Sequence, residues 1–339
     1  MLPRTAAAGE PAPHGIVLVV GDGMGSAHFT LARLLRGADY RIGTLPQVGL
    51  VATDSANDFV TDSAAAATAY ATGVKTNDGY VGADPSGRPR ETVVEAAEAR
   101  GLATGLLTTA TFGDATPAAF ASHATDRHDF DVIIPQMTSR GIDLLASTGL
   151  ERFGNGGWPA LDQVASAHGY QPVRTAAELA SAGEGPVLAI FPSAKLDAQS
   201  PEMPLANLAA WSLERLARDP DGFFLLVEHE GTDTASHHND SAALMSSVVE
   251  LDKAVGAVLE LARARGDVLV IVLGDHETGG LQIAGKPGKP ELIWRDDYHS
   301  GEAVPVFSEG PGSAAFGRFL DNTGIGNALL ALVARMGTP

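Results

Sequence analysis

Ile16-Val17-Leu18-Val19-Val20 runs without a polar side chain into Gly21-Asp22-Gly23-Met24-Gly25. Five consecutive apolar residues, four of them β-branched, are too few for a helix and read as a strand covered on both faces. The glycines that follow suit a tight turn with close backbone approach, and Asp22 stands just beyond the strand's carboxyl end. Comparable strand candidates are Gly105–Thr108, Val187–Phe191, Phe223–Val227 and Val268–Leu273. Helical patterns fall between them at Arg90–Ala99, Ile133–Arg140, Pro204–Arg218 and Ala242–Ala264. Alternating β and α elements predict an α/β layer fold. Residues 1–14, with Pro3, Pro11 and Pro13, read as an extended or disordered tail, and 15–339 as one domain. The larger loops are expected at 151–160 and 277–297.

The chain has 339 residues, of which 45% are hydrophobic and 19% charged. That balance supports a sizeable core and excludes global disorder. The absence of cysteine excludes a disulfide scaffold. With 41 acidic against 23 basic residues the formal charge is −18. A nucleic-acid binder needs a basic face, and an anionic membrane surface attracts the same, so both are disfavoured as partners. An acid excess can serve solubility or a salty habitat, or supply carboxylates to divalent cations. No run approaches the roughly 18 apolar residues of a membrane helix, and the opening residues carry no apolar signal core.

Polar residues follow the strands in a pattern. Asp22 follows the first, Glu228 comes directly after Phe223–Val227, and Asp275-His276 follows Val268–Leu273. Parallel strands bring their carboxyl ends to one edge, where open α/β sheets bind ligands. Taken singly, each has a structural reading as turn former, N-cap or buried pair. Asp233 and His237 would share one helix face at i, i+4, a spacing that suits zinc, whereas His238 would point about 100° away. His299 lies in a glycine-containing loop, Tyr298-His299-Ser300-Gly301. Thr61-Asp62-Ser63 precedes an alanine-rich stretch ending at Gly73, which reads as a helix capped by Asp62 or Thr61. Ser63 then sits in the first turn, where main-chain N–H groups favour an anion and a serine can be a capping group or a nucleophile.

Taken together, the motifs resemble the alkaline phosphatase family. The resemblance is carried in order by Gly21–Gly25, Val60-Thr61-Asp62-Ser63-Ala64-Ala65, Ala71-Thr72-Gly73-Val74-Lys75-Thr76, Asp114-Ala115-Thr116-Pro117-Ala118 and Arg127. It continues through Phe223-Phe224, Val227-Glu228, Asp233, His237, Asp275-His276 and His299-Ser300-Gly301. It implies a three-layer α/β/α sandwich around a large, mostly parallel central sheet. It also implies hydrolysis of phosphate monoesters, over a broad substrate range, through a phosphoserine intermediate. Two Zn2+ and one Mg2+ per subunit are expected. Asp233, His237 and His299 would hold the first zinc, and Asp22, Asp275 and His276 the second. Asp22, Thr116 and Glu228 would hold magnesium, with Asp114 joining directly or through water. Ser63 matches the nucleophile and Arg127 the phosphate clamp, steadied by Asp62. Inorganic phosphate as product inhibitor, a homodimer, and a periplasmic or extracellular location follow from the same resemblance.

Three departures stand out. Thr234 follows the zinc-ligand Asp where some members carry Lys, and His229-Glu230 stands where small residues are commoner. The chain is also short, with little room for large insertions. The competing readings are a phosphodiesterase of the same superfamily, which commonly uses Thr and lacks the third metal, and a non-catalytic metal-binding scaffold. Ser63 with Asp114, Thr116 and Glu228 speaks against the first, and Ser63 with Arg127 against the second. A sulfatase is disfavoured because Cys is absent and Ser86-Gly87-Arg88-Pro89-Arg90 places its proline one residue late.

Overall fold

The computed structural model describes residues 12–153, 158–192 and 203–337. Fourteen strands are found there: β1 (Gly15–Gly21), β2 (Gln47–Ala52), β3 (Ala103–Thr111), β4 (Leu144–Thr148), β5 (Gln171–Val173), β6 (Val187–Ile190), β7 (Phe223–His229), β8 (Val268–Gly274), β9 (Glu277–Thr278), β10 (Gln282–Lys286), β11 (Lys289–Ile293), β12 (His299–Ser300), β13 (Val304–Glu309) and β14 (Phe319–Asp321). The α-helices are α1 (Ser26–Arg36), α2 (Ser63–Thr72), α3 (Val93–Glu98), α4 (Ala115–Ala121), α5 (Phe130–Ser139), α6 (Leu161–His168), α7 (Ala176–Ala180), α8 (Leu205–Leu216), α9 (Gly231–His237), α10 (Ser241–Arg265) and α11 (Asn322–Val333).

Ten strands form one sheet in the order β14-β2-β13-β8-β1-β7-β3-β4-β6-β5. Only β13 runs antiparallel to its neighbours, so the sheet is mostly parallel, as expected. The apolar run of β1 alternates between two cores. Ile16, Leu18 and Val20 pack with α2 to α6 and α11 on one face. Val17 and Val19 pack with α1, α7, α8 and α10 on the other. Each such fully buried aliphatic side chain stabilises the fold by about 1.5–3 kcal/mol, which is why the strand tolerates no polar residue on either face.

Register decides where the site forms. Gly21 pairs with both His229 and Gly274, and Thr108 pairs with Glu228. The central strands therefore end level, and the residues just past them meet at one edge.

Several expected boundaries shift for local reasons. The helix expected over Arg90–Ala99 is confined to Val93–Glu98, because Thr92 and Glu95 form a capping box and Pro89 bridges to Ala83. The segment 277–297, expected as a loop, holds the exposed β10–β11 hairpin and also β9, which pairs Thr278 with His299 and Glu277 with Ser300. Within the expected tail, residues 1–11 lie outside the described residues. His14 is tied down by donating its main-chain N–H to Asp267 O at 2.8 Å. Of the glycine-rich loop at 151–160, residues 154–157 lie outside the described residues.

Candidate metal centre and nucleophile

Asp62 is the N-cap of α2: its Oδ1 accepts from Ala65 N at 2.9 Å, and Gly73 ends the helix at φ 69°. Ser63 is thereby fixed in the first turn, buried, with Oγ 3.1 Å from His276 Nε2. The other oxygen of Asp62 accepts from Arg127 at 3.2 Å and from Gly79 N at 3.0 Å. Arg127 reaches Asp114 with its second terminal nitrogen at 3.3 Å. One carboxylate thus caps the serine's helix and holds the guanidinium. Burial works against the charge on Arg127, but Asp114 and Asp62 outweigh it and keep the group cationic.

The carboxylates past the strand ends converge. Asp22, Asp275 and His276 bring ligand atoms within 4.8 Å of one another, as do Asp233, His276 and His299. His237 belongs to the second cluster, with Nε2 3.2 Å from Asp233 Oδ2 and 3.2 Å from His299 Nε2. It gets there because α9 places Asp233 and His237 one turn apart. His238 turns outward, its Nδ1 2.7 Å from Thr234 O. Glu228 lies opposite Asp22, its Oε2 accepting from Thr108 Oγ1. Thr116 is buried beside it, its Oγ1 turned toward Glu228 without a hydrogen bond of good geometry.

Burial, followed by the charges of neighbouring carboxylates, pushes Asp22 well above its ordinary range. Burial above all lifts Asp275 to about 8 and Glu228 to about 7. At Asp233 burial acts upward too, but the hydrogen bond with His237 and the charges of His276 and His299 outweigh it and hold the carboxyl low. Such crowding leaves acids that must carry protons or face cations.

The imidazoles are oriented with them. His237 Nδ1 lies 2.6 Å from Asp297 O and His299 Nδ1 2.8 Å from Thr61 O. A carbonyl oxygen only accepts, so both Nδ1 atoms carry hydrogen. Thr278 Oγ1 donates to Asp233 Oδ1 at 2.5 Å and so accepts from His276 Nδ1 at 3.2 Å. All three rings therefore turn Nε2 inward, those of His237 and His299 toward Asp233 and that of His276 toward Ser63 Oγ, Asp22 and Asp275. Asp22 Oδ1 and Asp275 Oδ2 sit 3.3 and 3.4 Å from His276 Nε2 without a hydrogen-bond partner. Fixing one ring nitrogen through its N–H while the other faces carboxylates is how proteins orient histidine ligands toward a metal. The glycine turn completes the cradle, since a Cβ on Gly23, at φ +71°, would come within 2.8 Å of Asp233 Oδ1. Mixed nitrogen and oxygen donors fit zinc, and the oxygen-only group at Glu228 fits a harder cation.

The family model for alkaline phosphatase matches residues 14–289. The chain belongs to the alkaline phosphatase family. It is 31% identical to the alkaline phosphatase of Escherichia coli (strain K12), an alignment covering 91% of this chain and 79% of that one. The cold-active alkaline phosphatase from the psychrophile Shewanella sp. superposes with a TM-score of 0.86 at 28% identity, covering 94% of this chain and 99% of that one. A variant of TAB5 alkaline phosphatase with Mg bound in its M3 site superposes with a TM-score of 0.85 at 26% identity, covering 96% and 99%. The protein is thus a metal-binding hydrolase with phosphate monoesters as its substrate class. No helix among the described residues is long and apolar enough to cross a membrane.

Measured against this alkaline phosphatase fold, the sequence reading missed Thr278, which orients two ligand candidates, and Glu230, whose carboxylate joins Asp22 and Glu228. The signal for Glu230 was present. Glu230 follows an obvious ligand candidate by two residues, just past the strand end where the other acids converge.

Proposed function

We propose that this alkaline phosphatase hydrolyses phosphate monoesters by transferring the phosphoryl group to Ser63 and then to water, at a site holding two zinc ions and one magnesium. The supporting observation is the inward orientation of three imidazole Nε2 atoms among carboxylates, beside a buried serine at a helix N-terminus. Asp233, His237 and His299 would hold one zinc, and Asp22, Asp275 and His276 the other. Asp22, Glu228, Thr116 and Asp114 would hold magnesium, in keeping with the magnesium bound by the TAB5 variant. When bound, such ions polarise phosphoryl oxygens and lower the pKa of a coordinated hydroxyl.

Ser63 Oγ forms a bond to phosphorus as the ester P–O bond breaks, and the alcohol departs. Water then attacks phosphorus, Ser63 regains its hydroxyl, and inorganic phosphate leaves. Arg127 presents a planar fork to two phosphoryl oxygens, exchanging partners with Asp62 and Asp114. All of these contacts address the phosphoryl group, so a broad range of alcohols should be accepted and free phosphate should inhibit as product. A homodimer and export from the cytoplasm belong to the same proposal.

The test is hydrolysis of an aryl phosphate at alkaline pH. Activity should vanish with a chelator and return with zinc and magnesium together. Activity indifferent to chelation, or a large preference for diesters, would refute it.

A further inference from the structure

Glu228 and His229 close β7, and Glu230 follows as the residue that opens α9. His229 points the other way: its Nε2 lies 3.2 Å from Glu250 Oε2, and its Nδ1 accepts from Gly231 N at 3.0 Å. Glu230, opening α9 beyond that lock, turns its carboxylate to the side of Glu228. One turn further on, Thr234 Oγ1 donates to Glu230 Oε1 at 3.2 Å and holds the side chain in place. The carboxylates of Asp22, Glu228 and Glu230 then bring oxygens within 4.8 Å of one another.

Three carboxylates this close repel unless something positive joins them. Among the residues around them, Arg127 spends its hydrogen bonds on Asp62 and Asp114, and His276 directs its Nδ1 hydrogen to Thr278. Independently of the acid charges, Thr116 Oγ1 is buried and turned toward Glu228 without a hydrogen bond of good geometry to any group. Asp22 Oδ1 is buried and equally unpartnered. One hydroxyl, Thr116 Oγ1, beside the three carboxylates of Asp22, Glu228 and Glu230 makes an oxygen-only donor set, suited to magnesium, manganese or calcium and poorly suited to zinc.

We propose that Glu230 is a ligand of this hard-cation site, adding a carboxylate to Asp22, Glu228 and Thr116 and tightening its hold on the ion. The proposal rests on the assignment of that site made above, and under it Thr234 orients a metal-binding carboxylate. Affinity of oxygen sites for hard cations rises with the number of charged ligands. Removing the Glu230 charge should weaken cation binding while sparing the two histidine-containing clusters.

The experiment uses the full chain stripped of metal and reloaded with zinc. Magnesium chloride is then titrated in a calorimeter, and thermal melting is followed with and without magnesium. Wild type should take up one magnesium per chain. Glu230→Gln should bind it at least about tenfold more weakly, with zinc stoichiometry unchanged. Without magnesium, Glu230→Gln should melt above wild type because one repelling charge is gone, and with magnesium that order should shrink or invert. Glu230→Ala should behave alike, which guards against the Gln amide oxygen standing in as a ligand. Magnesium affinity unchanged in both Glu230 variants but lost in Glu228→Gln would overturn the role of Glu230 alone. Affinity unchanged in Glu228→Gln as well would overturn the site assignment itself.

Discussion

His237 Nε2 lies 3.2 Å from His299 Nε2, and each ring has committed its Nδ1 hydrogen to a main-chain oxygen. The hydrogen bond with Asp233 raises His237 to about 9, so a proton joins this group of nitrogens and carboxylate oxygens. A bound cation would replace that proton and draw the neighbouring carboxylates in as well. Chelation should therefore cost stability as well as activity. A metal at a hundred times its dissociation constant stabilises the fold by about 2.7 kcal/mol per site. Calorimetric melting should show Tm falling when chelator is added and recovering when zinc and magnesium are restored. An unchanged Tm after verified removal would contradict the coupling.

Arg127 is held by Asp62 and Asp114 without being neutralised, so it can trade those partners for a phosphoryl group. Arg127→Lys keeps the charge and loses the fork. Losing one charge-assisted bond of about 1.5–3 kcal/mol should lower kcat/KM roughly ten- to a hundredfold. Phosphate inhibition should weaken in parallel. Steady-state kinetics with added phosphate would show both, and weaker inhibition without loss of kcat/KM would count against the clamp.

Asp62 separates two roles that one substitution can split. Asp62→Asn keeps an Oδ1 that can cap α2 but loses the charge facing Arg127. Stability should fall because the amide nitrogen then faces the donors Gly79 N and Arg127, and Asp62→Ala should cost a further ~1 kcal/mol for the lost cap. Both should lower kcat/KM. Equal destabilisation of the two variants in denaturant melts would refute the split.

Away from the site, Glu95 Oε1 lies 2.9 Å from His123 Nε2 and 2.5 Å from Arg140, while Oε2 accepts from Thr92 N. Burial pushes this carboxyl upward, but the hydrogen bonds from His123 and Thr92 and the charge of Arg140 outweigh it, taking the group from 4.5 down to about 2. The unfolded chain therefore protonates first as the solution is acidified. The contribution of Glu95 is whole above about 4.5 and is lost as pH falls toward about 2. Glu95→Gln retains the capping box. Near neutral pH it should cost on the order of 1–2 kcal/mol, allowing for solvent screening. Denaturant melts at stepped pH should show the two proteins converging through that acid window, and a constant gap would contradict the assignment.

Much of this was legible in the residues because parallel strands buried on both faces leave uninterrupted apolar runs. Ile16–Val20 and Val268–Leu273 announce themselves, and the acids beyond them mark the edge where the strands end. The Asp62 cap and the Asp233–His237 spacing were readable for the same local reason. What escaped is structure whose signal is weak or shared. β10 and β11 form an exposed hairpin of polar and glycine-rich composition with no buried face to set a period. β2 alternates over too few residues to stand apart from a loop. Glu230 stood out only as a departure from the small residues commoner there, and its place beside Asp22 and Glu228 depends on contacts between segments distant in sequence.

The central claim is that the phosphoryl group passes through Ser63, and acid quenching during turnover tests it most directly. Peptide mass spectrometry of the quenched enzyme should find one added phosphoryl group on the peptide containing Ser63, and none in Ser63→Ala. That variant should fold normally and lose activity at least about a thousandfold. Full turnover by Ser63→Ala, or a trapped phosphoryl group on another residue, would contradict the account.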